Sequence, residues 1–339
     1  MRYSRRVTLS IQQVLASFPI GDISSVEPYG NGRIHTTFHV VAEHGEYVLQ
    51  KIQAPFEPAL DDIEKITEHL THKKILTSRI VKTVDGARSL PDAESFWRLM
   101  TFIPGTTFEG NPTLEQARSG GAFAGTFHSA LTDYTQPFTY RLPGYRDTHY
   151  ALEHLRNTDT AYASSEKYSH CHPLVEEILR TASLLSEASA LLPQRPLHGD
   201  LKLNNLRFDA SGARAIALID LDTVGRYTVP LEIGDMLRSW CTTPTFEIDL
   251  AIWDAALEGY RREANFVTPD EWRLIPDGFR EITLSLAARY CADAYEEIYF
   301  TLDPAYPSRY EQNIERTRRY LRVLENFDLH ESRIRAMHG

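Results

Sequence analysis

Residues 198–205 carry side chains whose types and spacing suit phosphoryl transfer. Asp200 could accept the proton of an attacking hydroxyl group, and Asn205 could hold a Mg²⁺ ion that bridges nucleotide phosphates. Lys202 could reach the γ-phosphate and offset the charge that moves during transfer. A polar turn that bonds only to itself has a similar composition. Asp200, Lys202 and Asn205 are therefore catalytic candidates, and the motifs elsewhere in the chain decide between catalysis and a simple turn.

A second acidic segment follows a short apolar run at residues 217–219. Kinases place their main metal ligand at the end of such a strand, so Asp220 is a candidate Mg²⁺ ligand together with Asn205. Asp222 comes two residues later and would face the same side if the strand continued. It is therefore a candidate second ligand or substrate contact.

Gly30 and Gly32 lie at a bend between two predicted strands. Glycines at such a bend let backbone amides approach phosphate oxygens closely. On its own, this spacing more often indicates an ordinary hairpin turn. Neither a P-loop nor a complete Rossmann glycine pattern is present in the sequence, which disfavours those nucleotide sites.

The elements that must position these residues change along the chain. Up to about residue 103 the pattern is mainly β, and residues 103–105 predict a linker. The predicted elements of this part are an amphipathic helix at 9–18, a hairpin of 34–41 with 47–52, a helix at 59–76 and short strands near 80–84 and 95–102.

After residue 112 the pattern is mainly helical, with one short β segment that carries the acidic residues. The predicted helices cover 113–132, 173–192, 247–263, 278–300 and 308–326, and the β segment covers 206–208 and 215–219. This order predicts an α+β, bilobal, protein-kinase-like fold. The expected lobes are a small β-rich nucleotide-binding lobe, 1–103, and a large helical catalytic and acceptor-binding lobe, 104–339.

The chain resembles the aminoglycoside phosphotransferase and choline-kinase-like family, most closely its N-acetylhexosamine 1-kinases. The matching segments are 30–32, 47–52, 66–70, 96–98, 142–148, 198–205, 219–224, 234–238, 288–293 and 298–300. The resemblance implies a bilobal fold, ATP and Mg²⁺ in the cleft, and a small hydroxyl compound as acceptor.

Members of this family commonly carry a lysine on the third strand, where this chain has Gln50 followed by Lys51. Because side chains alternate along a strand, one of the two faces the cleft. We expect Gln50 to do so, with the opposite strand face buried beneath the helix at 59–76, and Lys202 to supply the missing charge. The candidate nucleotide contacts are Gly30, Gly32, Gln50, Lys51, Met100 and Phe102.

The resemblance also places Arg289 and Asp293 near the acceptor, although residues four apart on a helix also form simple surface pairs. Asp200 and Asp222 complete the candidate substrate contacts. The last thirty residues are rich in arginine, which favours a neutral sugar over a polycationic aminoglycoside.

Composition narrows the class of partner. Lys and Arg total 36 and Asp and Glu total 46, a formal net charge of −10, which argues against nucleic acid and anionic membranes as partners. Apolar stretches are too short to span a bilayer. Cys171, Cys241 and Cys291 are widely spaced and suggest no disulfide framework. We therefore predict a cytoplasmic protein, with no prediction of its oligomeric state.

The leading hypothesis is an ATP- and Mg²⁺-dependent kinase that transfers the γ-phosphate to a hydroxyl of a sugar or amino sugar, the anomeric hydroxyl being one candidate. A kinase for homoserine, choline or an aminoglycoside is the first alternative. A nucleotide-binding regulatory pseudokinase is the second, and Gln50 is the one sequence feature in its favour.

Overall fold

A computed structural model describes residues 9–30, 36–186, 188 and 191–337. A β-sheet region is followed by a mainly helical part, so the predicted α+β class is confirmed. The helices are α1 (Ile11–Leu15), α2 (Ala59–His72), α3 (Leu114–Ala130), α4 (Thr148–Ala161), α5 (Tyr168–Ala182), α6 (Val229–Cys241), α7 (Leu250–Glu263), α8 (Pro269–Arg273), α9 (Ile275–Glu296) and α10 (Arg309–Ala336). The strands are β1 (Ile23–Pro28), β2 (Thr36–Ala42), β3 (Gly45–Gln53), β4 (Ile80–Val81), β5 (Leu90–Asp92), β6 (Ser95–Thr101), β7 (Arg195–Leu197), β8 (Leu206–Phe208), β9 (Ala215–Leu218) and β10 (Gly225–Tyr227).

The N-terminal sheet is antiparallel, in the order β1-β2-β3-β6-β4, with β5 also paired to β6. The predicted hairpin is confirmed as β2–β3, in which Val40 lies opposite Tyr47 and Thr37 opposite Gln50. Alternating β-branched and aromatic residues favour this pairing because they pack on both faces of the pleated surface.

The two faces of β3 pack differently from the expectation. Tyr47 and Leu49 pack on the side of the sheet that α1 covers. Ile52, on the opposite face, packs with residues of α2 such as Ile63. Helix α2 and the cleft therefore lie on the same face of β3: α2 covers the end of this face at Ile52, and the part around Gln50 is open. The expectation that α2 would cover the face opposite Gln50 was wrong. The N-terminal segment supplies the second cover.

Helices α3 and α7 cross at a direct backbone contact in the helical part. A Cβ atom on Gly259 would lie 2.0 Å from the Arg118 carbonyl oxygen, and one on Gly121 would lie 2.1 Å from the Ala256 carbonyl oxygen. Such distances exclude any side chain at either glycine. The crossing is thus fixed by the absence of side-chain atoms at these two positions.

The helix at 173–192 differs from its prediction. It begins at Tyr168 and ends at Ala182, with Pro173 inside it. Helix α4 was not predicted because much of its sequence is polar and its buried apolar residues are few.

Among the described residues, no helix combines the length and apolarity needed to cross a bilayer.

Candidate active site

A cleft of 1470 Å³ separates the sheet from the helical part and collects most of the predicted residues. The predicted candidates that line it are Gly30, Gln50, Met100, Phe102, Asp200, Lys202, Asn205, Asp220 and Arg289. Gly30 has a φ of +74°, a left-handed conformation that favours glycine. Gly32 lies outside the described residues.

Buried His198 fixes the loop that carries Asp200. Its Nε2 lies 2.9 Å from the Ile219 carbonyl oxygen, and the backbone N–H of Asp200 donates to Nδ1 at 3.2 Å. Because a carbonyl oxygen can only accept, Nε2 carries a proton. Because Nδ1 accepts a hydrogen bond, it carries none, and the ring is neutral. Burial lowers the pKa of His198, which agrees with this state. One imidazole thus ties the Asp200 loop to the segment that leads into Asp220.

Asp200, Lys202 and Asn205 are in direct contact on the floor of the cleft. The Asn205 amide donates to the Asp200 carbonyl oxygen at 2.8 Å and to Oδ2 of the same residue at 3.1 Å. Lys202 Nζ lies 2.8 Å from that Oδ2. Burial opposes the charge on Lys202, but the Asp200 carboxylate outweighs it and raises the pKa of Lys202. Both side-chain contacts are to Oδ2, and neither involves Oδ1.

Asp220 follows β9 and opens into the cleft with a φ of +65°. Few residues other than glycine adopt this conformation readily, and Asp is one of them. Burial among the cleft walls, reinforced by the charges of Asp222 and Asp200, raises the pKa of Asp220 to about 7. Negative charge is therefore crowded at this point, and a bound cation would relieve it.

The donor set at this point fits Mg²⁺. Asp220 and Asn205 offer carboxylate and amide oxygens, which this ion prefers. The described residues contain no cluster of three or more His, Cys, Asp or Glu side chains arranged to hold a metal. Mg²⁺ usually takes one or two protein ligands and completes its shell with substrate phosphates and water. These two residues match that pattern.

Lys51, a candidate nucleotide contact, points away from the cleft. Its Nζ lies 2.8 Å from Asp92 Oδ2 and 5.4 Å from the ring centroid of Trp97, on the outer face of the sheet. Gln50 lines the cleft instead. Strand alternation separates the two neighbours, so the inclusion of Lys51 was wrong.

Asp222 is buried beneath the cleft and is not one of its lining residues. Its carboxylate forms a two-pronged ion pair with Arg98, in which Nη1 bonds to Oδ1 and Nη2 to Oδ2, the latter at 2.8 Å. After Asp220 the chain enters a short 3-10 turn. The expected substrate contact required a continuing strand, in which Asp220 and Asp222 would face the same side, and the turn ends that pattern. Asp222 therefore faces Arg98 of the sheet, and the predicted substrate contact was wrong.

Asp293 holds a loop at the rim of the cleft. Its Oδ1 accepts the backbone N–H groups of Ile298 and Tyr299, and its Oδ2 accepts that of Phe300 at 3.0 Å. The Asn313 amide donates to Oδ2 as well, at 2.8 Å. Asp293 is thus a positioning residue for the rim and does not line the cleft.

Arg289 lines the cleft and meets neutral partners. It donates to the Tyr299 hydroxyl and lies 4.8 Å from the centroid of that ring and 5.7 Å from that of Phe300. The alternative prediction of a surface pair with Asp293 was wrong, because each of the two side chains has other contacts.

The wall beyond Arg289 was not foreseen as a unit. Phe300 stacks on Tyr290 with ring centroids 3.8 Å apart, and Tyr320 continues the stack at 5.7 Å. Arg316 lies over Tyr290 and donates to its hydroxyl at 3.0 Å. These residues come from α9, α10 and the loop between them. Their spacing within each helix indicates a shared face, but sequence alone could not show that the faces meet.

A buried ionic network braces the Asp200 loop from behind. Glu232 accepts the Gly199 N–H at 3.0 Å and pairs with Arg146 Nη1 at 2.9 Å. Asp235 pairs with Arg146 and, at 2.8 Å, with Arg238. Gly199 itself has a φ of +87° and leaves no room for a Cβ atom.

We expect Glu232→Gln to lower the free energy of unfolding at pH 7 by about 3 kcal/mol, because breaking a buried ion pair is costly. The loss stays at the lower end of the usual range because Asp235 still pairs with Arg146. Burial opposes ionisation, but the charge of Arg146 and the contact with His128 outweigh it and lower the pKa of Glu232. The stabilisation is therefore complete above the usual value of 4.5 and is lost as pH falls through the lowered pKa.

Urea unfolding at pH 7 and near pH 4 measures this effect. The difference between wild type and variant should narrow at the lower pH. Glu258→Gln, which removes an exposed pair with Arg118, is the matched control and should change little. An equal loss at both pH values would contradict the ionic explanation.

Comparison with known proteins agrees with this geometry. Residues 25–266 match the model of the phosphotransferase enzyme family. The chain belongs to that family. Membership of this family makes the chain a kinase that transfers a phosphate to a hydroxyl group. A curated relative, homoserine kinase of Pseudomonas aeruginosa, is 24% identical over 265 residues, which are 78% of this chain and 80% of that protein.

Two solved structures of phosphotransferases have the same fold as this chain. An aminoglycoside phosphotransferase from Alicyclobacillus acidocaldarius superimposes with a TM-score of 0.67 at 14% identity and covers 99% of both chains. Amicoumacin kinase hAmiN, in complex with AMP-PNP, Ca²⁺ and Ami, gives a TM-score of 0.62 at 15% identity, covering 89% of this chain and 90% of that one. The protein-kinase-like fold is thereby confirmed.

Proposed function

We propose that this phosphotransferase is an ATP- and Mg²⁺-dependent kinase that transfers the γ-phosphate to a hydroxyl of a sugar or amino sugar, and that the anomeric hydroxyl is the site of transfer. The observation that carries the proposal is the meeting of Asp200, Asn205 and Asp220 on the floor of one cleft. In this scheme residues 1–103 form the nucleotide-binding lobe and residues 104–339 the catalytic and acceptor-binding lobe.

The nucleotide would bind against the sheet. Met100 and Phe102 supply an apolar surface for the base, and the backbone at Gly30 approaches the phosphates. Asp220 and Asn205 would hold Mg²⁺, which supplies charge neutralisation for the phosphate oxygens. Gln50 offers an amide to the same region.

Asp200 would act as the proton acceptor for the attacking hydroxyl. The Asn205 amide fixes its carboxylate, and the His198 contact fixes its backbone. Lys202 is half-exposed and sits on Asp200 Oδ2, so its ammonium can turn toward the transferred phosphoryl group. Orientation of the hydroxyl and compensation of charge are the two contributions required of these residues.

The acceptor would occupy the space bounded by the aromatic stack and the arginines of α9 and α10. Ring faces such as those of Tyr290 and Phe300 suit the apolar face of a sugar, and the surrounding N–H groups can bond to its oxygens. The positive charge of Arg289 and Arg316 disfavours a polycationic aminoglycoside.

A second candidate is a hydroxyl acceptor that carries a carboxylate. Arg309, another residue of the cleft wall, donates to the Glu297 carbonyl oxygen, and Arg289 donates to a tyrosine hydroxyl. Guanidinium groups with such neutral partners can pair with a carboxylate. Similarity to homoserine kinase supports this alternative.

An ADP-release assay tests the choice. The panel contains neutral hexoses, N-acylated hexosamines, hydroxy amino acids and aminoglycosides, and NMR locates the phosphate in any product. We expect a hexosamine to be phosphorylated at its anomeric hydroxyl, and its 1-deoxy analogue to bind without reacting. A 6-phosphate product, or turnover confined to hydroxy amino acids or aminoglycosides, would overturn the sugar assignment. Tight nucleotide binding without turnover of any acceptor would favour the pseudokinase.

A further inference from the structure

Arg98 occupies a special position on the sheet. It lies on β6 directly opposite Gln50 of β3, and both side chains line the cleft. Among the described residues of β1–β6 that line the cleft, Arg98 carries the only positive charge. The sheet therefore presents its cation from the strand next to the one that carries Gln50 and Lys51.

The guanidinium of Arg98 is held in one orientation. Its Nε donates to Gln50 Oε1 at 2.9 Å, and its two terminal nitrogens bond to the two carboxylate oxygens of Asp222. The side chain is 4% exposed, so these contacts leave it little freedom. Gln50 and Asp222 are positioning residues for this cation.

Donor counting shows what the group has left to offer. An arginine has five N–H donors, of which the three contacts with Gln50 and Asp222 use three. One N–H remains on each terminal nitrogen, and the residue borders the cleft beside Asp220. These two N–H groups lie on opposite sides of the planar guanidinium and point apart, so each can donate to a different oxygen of a phosphate chain.

Building on the proposed function, we propose that Arg98 binds the phosphate chain of the nucleotide and supplies from β6 the positive charge that Gln50 does not supply from β3. The ligand class is a nucleoside di- or triphosphate, and the contact is to phosphate oxygens and not to the nucleoside. Gln50 acts in this arrangement as an anchor for the cation and not as a lost lysine.

Calorimetric titration of the full-length protein with ADP, AMP-PNP and adenosine tests this assignment without knowledge of the acceptor. We expect Arg98→Gln to weaken ADP and AMP-PNP binding roughly 10- to 100-fold, the value of charge-assisted hydrogen bonds, and to leave adenosine binding unchanged. Adding Gln50→Lys to Arg98→Gln should recover at least about tenfold of the lost ADP affinity, because a cation returns across the same strand pair.

Two controls separate this effect from a loss of folding. Arg280→Gln removes another buried arginine, paired with Asp328 and Glu331 outside the cleft, and should leave all three affinities unchanged. Arg98→Gln combined with Asp222→Asn avoids an unpaired buried carboxylate, and we expect it to show the same loss for ADP.

Equal affinities of wild type and Arg98→Gln for ADP would overturn the assignment. So would equal losses for ADP and adenosine, or no recovery with Gln50→Lys. A wild-type protein that binds none of the three nucleotide ligands would overturn the proposed function itself, and with it this assignment.

Discussion

Asp220→Asn is expected to abolish turnover almost completely, with a fall in kcat of at least about 10³-fold, because phosphoryl transfer depends on the metal this carboxylate would hold. The substitution keeps the shape of the side chain and removes one negative charge from a point where burial and the charges of two carboxylates, Asp222 and Asp200, raise the pKa of Asp220. Nucleotide affinity should also lose most of its dependence on Mg²⁺.

Titration of ADP with and without Mg²⁺, together with ADP-release rates, measures both effects. Asp209→Asn, which removes an acid at the β8–β9 turn outside the cleft, is the control and should keep wild-type kcat. A kcat near that of wild type in Asp220→Asn would refute the metal assignment.

Asp200→Asn is expected to cut kcat by roughly 10²- to 10⁴-fold while nucleotide affinity stays nearly unchanged, because the variant loses the proton acceptor but keeps an oxygen for the Asn205 amide. Single-turnover measurements with saturating acceptor isolate the chemical step. Thermal unfolding of the variant should match wild type, which distinguishes lost chemistry from a displaced loop. Undiminished turnover would assign the proton transfer to another group.

Much of the catalytic floor could be predicted from sequence because its residues are close along the chain. The segment 198–205 forms one loop, and Asp220 comes shortly after β9, the strand that pairs with β8 directly after that loop. Local hydrogen bonds such as that of Asn205 to Asp200 set its geometry. Short-range chemistry and strand pairing are both visible in a linear pattern.

The errors arose where distant segments meet. Asp222 faces Arg98, which lies 124 residues away in sequence, and no local pattern announces this pair. The resemblance favoured Gln50 over Lys51 for the cleft, but the face of β3 that the N-terminal segment covers is visible only in the structure. Asp293 had a helical position consistent with an acceptor contact, yet three backbone N–H groups of the next loop occupy it. Long-range packing decided each of these roles.

The glycine crossing of α3 and α7 has a consequence for how substrate range can change in this chain. From the crossing, Tyr260 bonds to His128 at 3.0 Å, and His128 lies 3.6 Å from Glu232, which holds Gly199 beside Asp200. Larger side chains at the crossing would separate the helices and shift this relay, so the chemistry tolerates little variation there.

The proposed acceptor wall depends on different supports, chiefly the loop between α9 and α10 that Asp293 holds. Substitutions in that loop can reshape the wall without moving the relay from Tyr260 to Gly199. If this wall binds the acceptor as proposed, substitutions at the rim can change the acceptor range while the glycine crossing keeps the Asp200 loop in place.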